Sequence, residues 1–320
     1  MVHSTRTNTH VSIGSFLSGE QGRHGDGPKH DRRLTQDLTD YFAWVRVFPD
    51  GELGLGAPRK ASSPVHDAVG AGMQASEMVL DRPDDISEDT RRRVEAGRSS
   101  NLRGCILEKD SPTYGMARMS ADNDHNRPEC LSVGPYGQSL LAEHPNLPID
   151  EEERLSDPAL RENFVTRVFA YDRWVRLRNA GAGARDLVDF HTRHKTLVLA
   201  HQPAALKQLG RLVAHAGQGE LASTLDEYES AFMQALANVA TRKRHVNALQ
   251  HLAGFLKRSL DGDEKSELHG VISDYARGWV PLVAPVTLLK HHLRRLGPPW
   301  ASAQLYLEPY PQTLRLRNQI

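Results

Sequence analysis

Cysteine is scarce in this sequence, with only Cys105 and Cys130 among 320 residues. Two cysteines cannot form the disulfide framework of a small secreted protein, and so low a number suits the reducing cytoplasm. Long hydrophobic runs are also lacking, because no stretch approaches the roughly 18 apolar residues that a membrane-spanning helix needs. The first ten residues are polar and lack the apolar core of a secretory signal. These absences predict a cytoplasmic protein with no membrane partner.

The sequence has no net charge either, because 40 basic residues balance 40 acidic ones. Residues 1–185 hold 24 Lys+Arg against 28 Asp+Glu, whereas residues 186–320 hold 16 against 12 and 9 of the 16 histidines. A basic, histidine-rich second half suits an anionic partner, although a difference of this size also arises by chance. The 39% of hydrophobic residues excludes disordered and fibrous classes, and the length suits two ordinary domains.

In the first half, short β-like runs alternate with helix-like stretches, at residues 11–13, 32–42, 44–48, 87–96 and 105–107. This alternation predicts an α/β N-terminal domain with a mostly parallel sheet. Glycine-rich turns follow the strands, and ligands of such sheets bind at the carboxyl ends of the strands. Two stretches without a clear period, residues 61–75 and 120–137, are predicted to be loops.

From Pro148 onward the hydrophobic spacing becomes helical, which predicts an all-α C-terminal domain. Thr224 and Glu227 form a capping-box pattern that predicts the start of a long helix running to Leu260, with a break near residues 239–242. Other helices are predicted at residues 149–179, 187–202, 204–216, 264–277 and 286–296, before a proline-rich tail at 308–320.

The run AGAGA at residues 180–184 predicts a flexible joint, and we place the domain boundary there. The expected organisation is thus an α/β domain at 9–146, a helical connector and joint at 147–184, and an all-α domain at 185–320.

Three stretches of the first half carry a specific pattern: IGSFLSGE at 13–20, VFPDGELGLGAPR at 47–59 and GCILEKDSPTYGMAR at 104–118. They resemble the motifs of the TudS-type thiouracil and 4-thiouridine desulfidases, which read roughly S-S-C-L-L-G, V-C-P-E…G-x-G-x-P-R and K-S-x-S-P-S-C-G-M. A linker at residues 147–174 also matches. The resemblance covers nearly the whole chain, in the order of the two-domain RudS-type tRNA desulfidases.

The resemblance implies a four-iron four-sulfur cluster that three motif cysteines hold, with the fourth iron open to the substrate sulfur. In this sequence the three cysteine positions are Phe16, Phe48 and Tyr114. Phenylalanine has no donor atom and one tyrosine cannot hold a cluster that requires thiolates. We therefore expect no cofactor, no metal and none of the family's desulfidase chemistry.

The three aromatic replacements have two interpretations. They fill the cavity that a lost cluster leaves, or they form a stacking pocket for a nucleobase, and cavity filling is favoured. Asp50 and Ser111, at positions that match the family's motifs, are relics of a catalytic site or the catalytic groups of a remodelled nucleobase-modifying enzyme.

Histidines and basic residues recur along two predicted helices of the second half. In DFHTRHKTLVLAH (189–201) the stripe consists of His191, His194, Lys195 and His201, and in RKRHVNALQHLAGFLKR (242–258) the corresponding residues are Arg244, His245, Asn247, Gln250, His251 and Arg258. Residues 290–295 supply a third basic cluster. A metal site, a phosphate-binding surface and an ordinary solvated polar face are all compatible with these spacings.

These two runs, with YLEPYPQTLRLRN near the C-terminus, resemble the YbgA-type helical domain that is attached to the RudS-type enzymes. The resemblance implies that this domain holds tRNA. We therefore predict an RNA-binding paralogue of the desulfidases whose RNA contacts come from the ten residues of the two runs. A protein-interaction scaffold remains the alternative from a different class.

Overall fold

In a computed structural model of the protein, the described residues are 9–14, 38, 41–47, 62–67, 70–75, 78–79, 102–107, 140, 142 and 144–320. The chain divides into two compact units, Met1–Ser156 and Asp157–Ile320. Of the connector and joint predicted at 147–184, residues 147–156 belong to the first unit and residues 157–184 to the second.

The described strands of the first unit form two sheets. The strands are β1 (Thr9–Gly14), β2 (Phe42–Val47), β3 (Ser62–Asp67), β4 (Gly70–Ala75), β5 (Met78–Val79), β6 (Leu102–Leu107) and β7 (Ile149–Glu151). One sheet has the order β2–β1–β6–β7, and every pair in it is parallel. This confirms the predicted fold class for the N-terminal part.

The centre of the parallel sheet is apolar. Val11 and Ile13 on β1 are buried, as are Cys105 and Ile106 on the neighbouring β6. Consecutive buried residues on one strand mean that both faces of the sheet are covered, as is usual for parallel sheets. The strands predicted at 11–13 and 105–107 are confirmed. The strand predicted at 44–48 is confirmed for residues 44–47, which lie in β2.

The loop prediction for residues 61–75 is wrong. Strands β3 and β4 pair antiparallel from Ser62–Ala75 to Asp67–Gly70, and β5 extends this second sheet. Their sequences, SSPVHD and GAGMQA, are rich in small residues and show no apolar alternation, so periodicity carried no strand signal. The predicted loop at 120–137 and helix at 87–96 lie outside the described residues.

The second unit is helical, as predicted. Its helices are α1 (Pro158–Asn179), α2 (Ala184–His201), α3 (Ala205–His215), α4 (Leu221–Ala237), α5 (Arg242–Ala253), α6 (Gly262–Arg277), α7 (Val283–Leu296) and α8 (Pro299–Ser302). Short 3-10 turns follow α5 and occupy the tail at Gln312–Leu314 and Leu316–Asn318. In the part of the chain that the structure describes, no helix is long and apolar enough to cross a membrane.

Two helix starts differ from the sequence prediction. Residues Ile149–Glu151 form β7, so the helix expected from 149 begins only at Pro158, capped by the Asp157 side chain. Thr224 is not an N-cap, because α4 begins three residues earlier and the Thr224 hydroxyl donates to the Glu220 carbonyl within the helix. The predicted break is confirmed, since α5 starts with Thr241 as its N-cap.

The AGAGA run forms the turn between α1 and α2. Gly181 has φ 79°, a left-handed conformation that glycine adopts without strain, and the Gly183 amide donates to the Asp186 carboxylate. Helix α1 contributes the fully buried Trp174, whose ring lies 5.3 Å from that of Tyr228 and 5.0 Å from that of Phe190. Such aromatic packing makes α1 part of the helical core.

Candidate nucleic-acid interface

Burial divides the histidine stripe of α2 into two groups. His194 and His201 are 2% and 1% exposed, whereas His191 and Lys195 are only partly buried. Helical spacing placed all four on one stripe, but segments from elsewhere in the chain cover two of them. Within the described residues, no three His, Cys, Asp or Glu side chains gather as the ligands of a metal ion would.

His194 is held in the interior by its own helix. Its Nδ1 lies 2.7 Å from the Phe190 carbonyl, so Nδ1 carries the proton, and its ring stacks on Phe190 at 3.9 Å between centroids. Burial, followed by the positive charge of Arg173, holds the pKa of His194 well below the ordinary value. His194 is therefore a neutral side chain of the core.

His201 and His245 belong to a buried polar network between α1, α2, α5 and the tail. His201 Nδ1 donates to the Asn238 carbonyl at 2.8 Å, and His245 Nδ1 lies 3.1 Å from the Tyr306 hydroxyl. Burial lowers the pKa of both histidines. The sequence analysis predicted that His194, His201 and His245 contact RNA on the surface, whereas the structure places all three in the interior.

Arg244 also has an internal partner. Its Nη1 donates to the His201 carbonyl at 2.6 Å, which satisfies a free carbonyl at the C-terminal end of α2. Asn247, Gln250 and Arg258 are exposed, as their predicted role requires.

One lysine and three aromatic rings lie together where α2, α5 and α8 meet; His251 and Phe255 are exposed, whereas Lys195 and Trp300 are partly buried. The Lys195 ammonium lies 4.0 Å from the centroid of the Trp300 ring, and the Trp300 ring meets Phe255 edge to face at 4.5 Å. Phe255, which is 36% exposed, in turn meets the His251 ring at 5.3 Å. We call Lys195, His251, Phe255 and Trp300 the aromatic–lysine patch.

The charge of Lys195 reaches both neighbouring histidines. Burial, and then Lys195, lower the pKa of His191 and of His251. His191 also lies 3.1 Å from the Tyr228 hydroxyl through its Nδ1. The patch thus places the Lys195 ammonium beside aromatic rings at the surface, a combination that suits stacking on a base next to a phosphate.

Phe255 and Trp300 were not predicted from the sequence, although the sequence contains a signal for Phe255. Phe255 stands inside the basic run at 242–258, and an aromatic residue among basic ones is typical of nucleic-acid surfaces. Trp300 follows two prolines in a short helix more than one hundred residues from Lys195, and only the fold brings them together.

The third basic cluster, at residues 290–295, also contains both exposed and buried side chains. His291, Arg294 and Arg295 are exposed on α7, but His292 is buried and neither of its ring nitrogens finds a hydrogen-bond partner among the described residues.

We expect His292→Leu to raise the free energy of unfolding by about 1–2 kcal/mol, because it removes two buried polar atoms that lack partners. Chemical denaturation followed by circular dichroism measures this difference. The matched control is His291→Leu on the exposed neighbour, which is expected to change stability by less than about 0.5 kcal/mol. A His292→Leu variant less stable than the unmodified protein would contradict the expectation.

The five positions predicted for the N-terminal site, Phe16, Phe48, Asp50, Ser111 and Tyr114, lie outside the described residues. Cys105, which is described, is buried on β6, and burial raises the pKa of its thiol to about 12. The family's cluster requires several thiolates, whereas Cys105 is the one free cysteine among the described residues.

Comparison with known proteins adds three findings. A family model described as 2-thiouracil desulfurase matches residues 11–152, and one described as protein of unknown function (DUF1722) matches residues 195–311. The chain is 32% identical over 161 residues to the uncharacterized protein YbgA of Escherichia coli (strain K12), which covers 49% of this chain and 94% of that protein. No solved structure matches. The chain therefore belongs to the YbgA family, and the region that precedes its YbgA-like part is similar to 2-thiouracil desulfurase.

Proposed function

We propose that the protein binds RNA, with tRNA as the expected class, through the aromatic–lysine patch, and that it carries out no cluster-dependent desulfidation. The observation that carries the RNA-binding proposal is the patch itself, in which the partly buried Lys195 and Trp300 lie beside the exposed ring of Phe255. The likeness of the first half to desulfidases of thiolated nucleobases supports a nucleic-acid partner.

The chemistry of the patch suits single-stranded RNA. Unpaired bases in loops and at ends stack on exposed aromatic rings, while ammonium groups contact the phosphates. A cation over an indole ring also holds that ring in place, so less conformational freedom is lost on binding. Exposed Asn247 and Gln250 on α5 supply amide groups of the type that hydrogen-bonds to base edges.

Neutral histidines further favour an RNA surface over a simple electrostatic one. Since burial and Lys195 lower the pKa of His251 and His191, both rings remain uncharged at pH 7. A neutral imidazole stacks on a base or accepts a hydrogen bond from it.

The proposal predicts that Trp300→Ala weakens tRNA binding by about 5- to 150-fold, corresponding to about 1–3 kcal/mol for one stacked base. Lys195→Ala is expected to weaken binding and to reduce the slope of log affinity against log salt by about one unit. Fluorescence anisotropy with labelled tRNA across a salt series measures both quantities.

Matched controls come from elsewhere on the helical unit. Lys207→Ala removes an exposed lysine of α3, and Trp279→Ala removes a tryptophan that is 70% exposed beside Arg277. If these variants weaken binding as much as the patch variants do, the patch is not the site. Binding that is insensitive to salt would favour the scaffold interpretation instead.

The second half of the proposal is tested on the same preparation. Iron and acid-labile sulfide are quantified after anaerobic purification, and release of hydrosulfide from 4-thiouridine-containing tRNA is followed. A stoichiometric cluster together with hydrosulfide release would refute the claim that the chain lacks cluster-dependent chemistry, while leaving RNA binding by the patch standing.

A further inference from the structure

A cleft of about 620 Å³ lies between α7 and the C-terminal tail. Pockets of about 300–1,000 Å³ are typical of sites for small ligands. One wall comes from α7, with Val283, Val286 and Arg294, and the other comes from tail residues that include Tyr310 and Arg315. The cleft is thus large enough for one nucleotide and has both apolar and cationic walls.

Five cations line the cleft against a single carboxylate, Glu308: these are Lys290, Arg294, Arg295, Arg315 and Arg317. Three of them are neutralised, since Lys290 pairs with Glu308, Arg295 with Glu264 and Arg317 with Glu162. Arg294 and Arg315 are exposed, and no carboxylate among the described residues forms an ion pair with either of them.

Arg315 is also held in an unusual backbone conformation. Its φ of 51° and ψ of 20° lie in the left-handed region, and among the described residues it is the one non-glycine with a positive φ. The conformation is fixed by two hydrogen bonds, from its amide to the Gln312 carbonyl at 3.0 Å and from the Asn318 amide to its carbonyl at 3.1 Å. Such strain is typical of positions where a side chain must point to a ligand.

The positive charge of Arg294 and Arg315 favours a phosphate monoester over a phosphodiester. A phosphate monoester carries about −1.5 to −2 at pH 7, whereas an internal phosphodiester carries only one charge. Two guanidinium groups that no described carboxylate neutralises match the monoester, and each can bind a phosphate through two parallel hydrogen bonds. His291, which is exposed at the same cleft, supplies a further donor.

We propose that the cleft between α7 and the tail binds the terminal phosphate of a nucleotide, with Arg294 and Arg315 as the phosphate ligands and the apolar wall against the base or sugar. This site is separate from the aromatic–lysine patch and does not depend on RNA binding by that patch. The same phosphate group is presented by a free nucleoside monophosphate and by a phosphorylated RNA end.

Calorimetric titration of the full chain with uridine and adenosine monophosphates, and with the corresponding nucleosides, tests the proposal. We expect the monophosphates to bind and Arg294→Ala to weaken them by about tenfold or more, since it removes a charged hydrogen-bonding partner. Arg315→Gly is expected to do the same while preserving the backbone, because glycine adopts positive φ without strain.

A second titration distinguishes the two sources. A short RNA is compared with and without a 5′-phosphate, and binding that requires this phosphate assigns the cleft to RNA ends. Binding of free monophosphates without any such preference assigns it to free nucleotides. Trp300→Ala is expected to leave monophosphate binding unchanged, so that failure of the patch and failure of the cleft are distinguishable.

The proposal is overturned if monophosphates bind no better than nucleosides and the RNA shows no preference for a 5′-phosphate. It is also overturned if Lys207→Ala, on an exposed helix that does not line the cleft, reduces monophosphate binding as much as Arg294→Ala and Arg315→Gly do.

Discussion

Replacing Glu162 by glutamine is expected to lower the free energy of unfolding of the helical unit by about 3–5 kcal/mol, because it leaves a buried arginine without its counter-ion. Glu162 and Arg317 have side chains that are 4% and 9% exposed, and the Arg317 Nε lies 3.1 Å from the Glu162 carboxylate. Burial alone would lower the pKa of Arg317, but the opposite charge of Glu162, with Tyr310 and Tyr306, raises this pKa above the ordinary value, so the guanidinium remains charged in the interior.

Both members of the ion pair have a further hydrogen bond that glutamine would disturb. The Tyr310 hydroxyl donates to the Glu162 carboxylate at 3.0 Å, and Arg317 donates through Nη1 to the Tyr306 carbonyl at 2.6 Å. The ion pair therefore connects the tail to α1. Its loss releases the tail and leaves buried polar groups without hydrogen-bond partners, which lowers the stability of the fold.

Urea denaturation followed by circular dichroism measures the effect, with Asp226→Asn as the matched control. Asp226 pairs with Arg178 at 2.6 Å on the surface, with side chains 66% and 30% exposed, and loss of such a pair costs about 0–1 kcal/mol. The double variant Glu162→Leu with Arg317→Met is expected to recover most of the stability, since it removes both charges. Equal costs for Glu162→Gln and Asp226→Asn would show that the pair does not stabilise the fold.

The pair also links stability to the proposed phosphate site. Tyr310, Arg315 and Arg317 all line the cleft, and Arg317 is the residue that Glu162 holds.

Helical periodicity predicted the second unit well because helices such as α3 and α7 have one apolar face, whereas α1 is buried over consecutive residues. The starts of α2, α3, α6 and α7 fall within three residues of their predicted positions. The error at Thr224 has a local cause, since threonine within a helix can bond back to the preceding turn and then resembles a cap only in sequence.

The composition of the site was less predictable, because periodicity tells which residues share a face and not what covers that face. Gln304 accepts from the Thr196 amide and hydroxyl and donates to the Thr192 carbonyl, more than one hundred residues away, which packs the tail against α2. Tyr306 covers His245 in the same manner. No local pattern in the sequence of α2 indicates these partners. An exposed stripe was therefore predicted on a face of α2 that the C-terminal residues cover.

Acid is expected to destabilise the helical unit steeply below about pH 6.5, the ordinary pKa of histidine. Burial depresses the pKa of His194, His201 and His245 in the folded state, whereas the unfolded chain leaves all three free to take up protons. Above pH 6.5 neither state binds these protons, so their contribution to stability is fully present there. As pH falls, only the unfolded state binds them, and stability is lost.

Each buried histidine contributes up to about 1.4 kcal/mol per pH unit, so three together give a slope of up to about 4 kcal/mol per unit below pH 6.5. The positive charges around them act in the same direction, since Arg173 and Arg193 face His194 while Arg242 and Arg317 face His245. Glu162 opposes the effect at His201 and makes that histidine the weakest of the three contributors.

Urea denaturation at pH 7.5, 6.5 and 5.5 measures the slope, and His194→Gln and His245→Gln are each expected to reduce it by about one proton, or about 1.4 kcal/mol per pH unit. His215→Gln, on an exposed histidine of α3, controls for the loss of a histidine as such. Glutamine keeps a hydrogen-bonding group for the Phe190 carbonyl or the Tyr306 hydroxyl but cannot bind a proton in this range. Equal stability at pH 7.5 and 5.5, or an unchanged slope in both variants, would mean that these imidazoles bind protons as readily in the folded protein as in the unfolded chain.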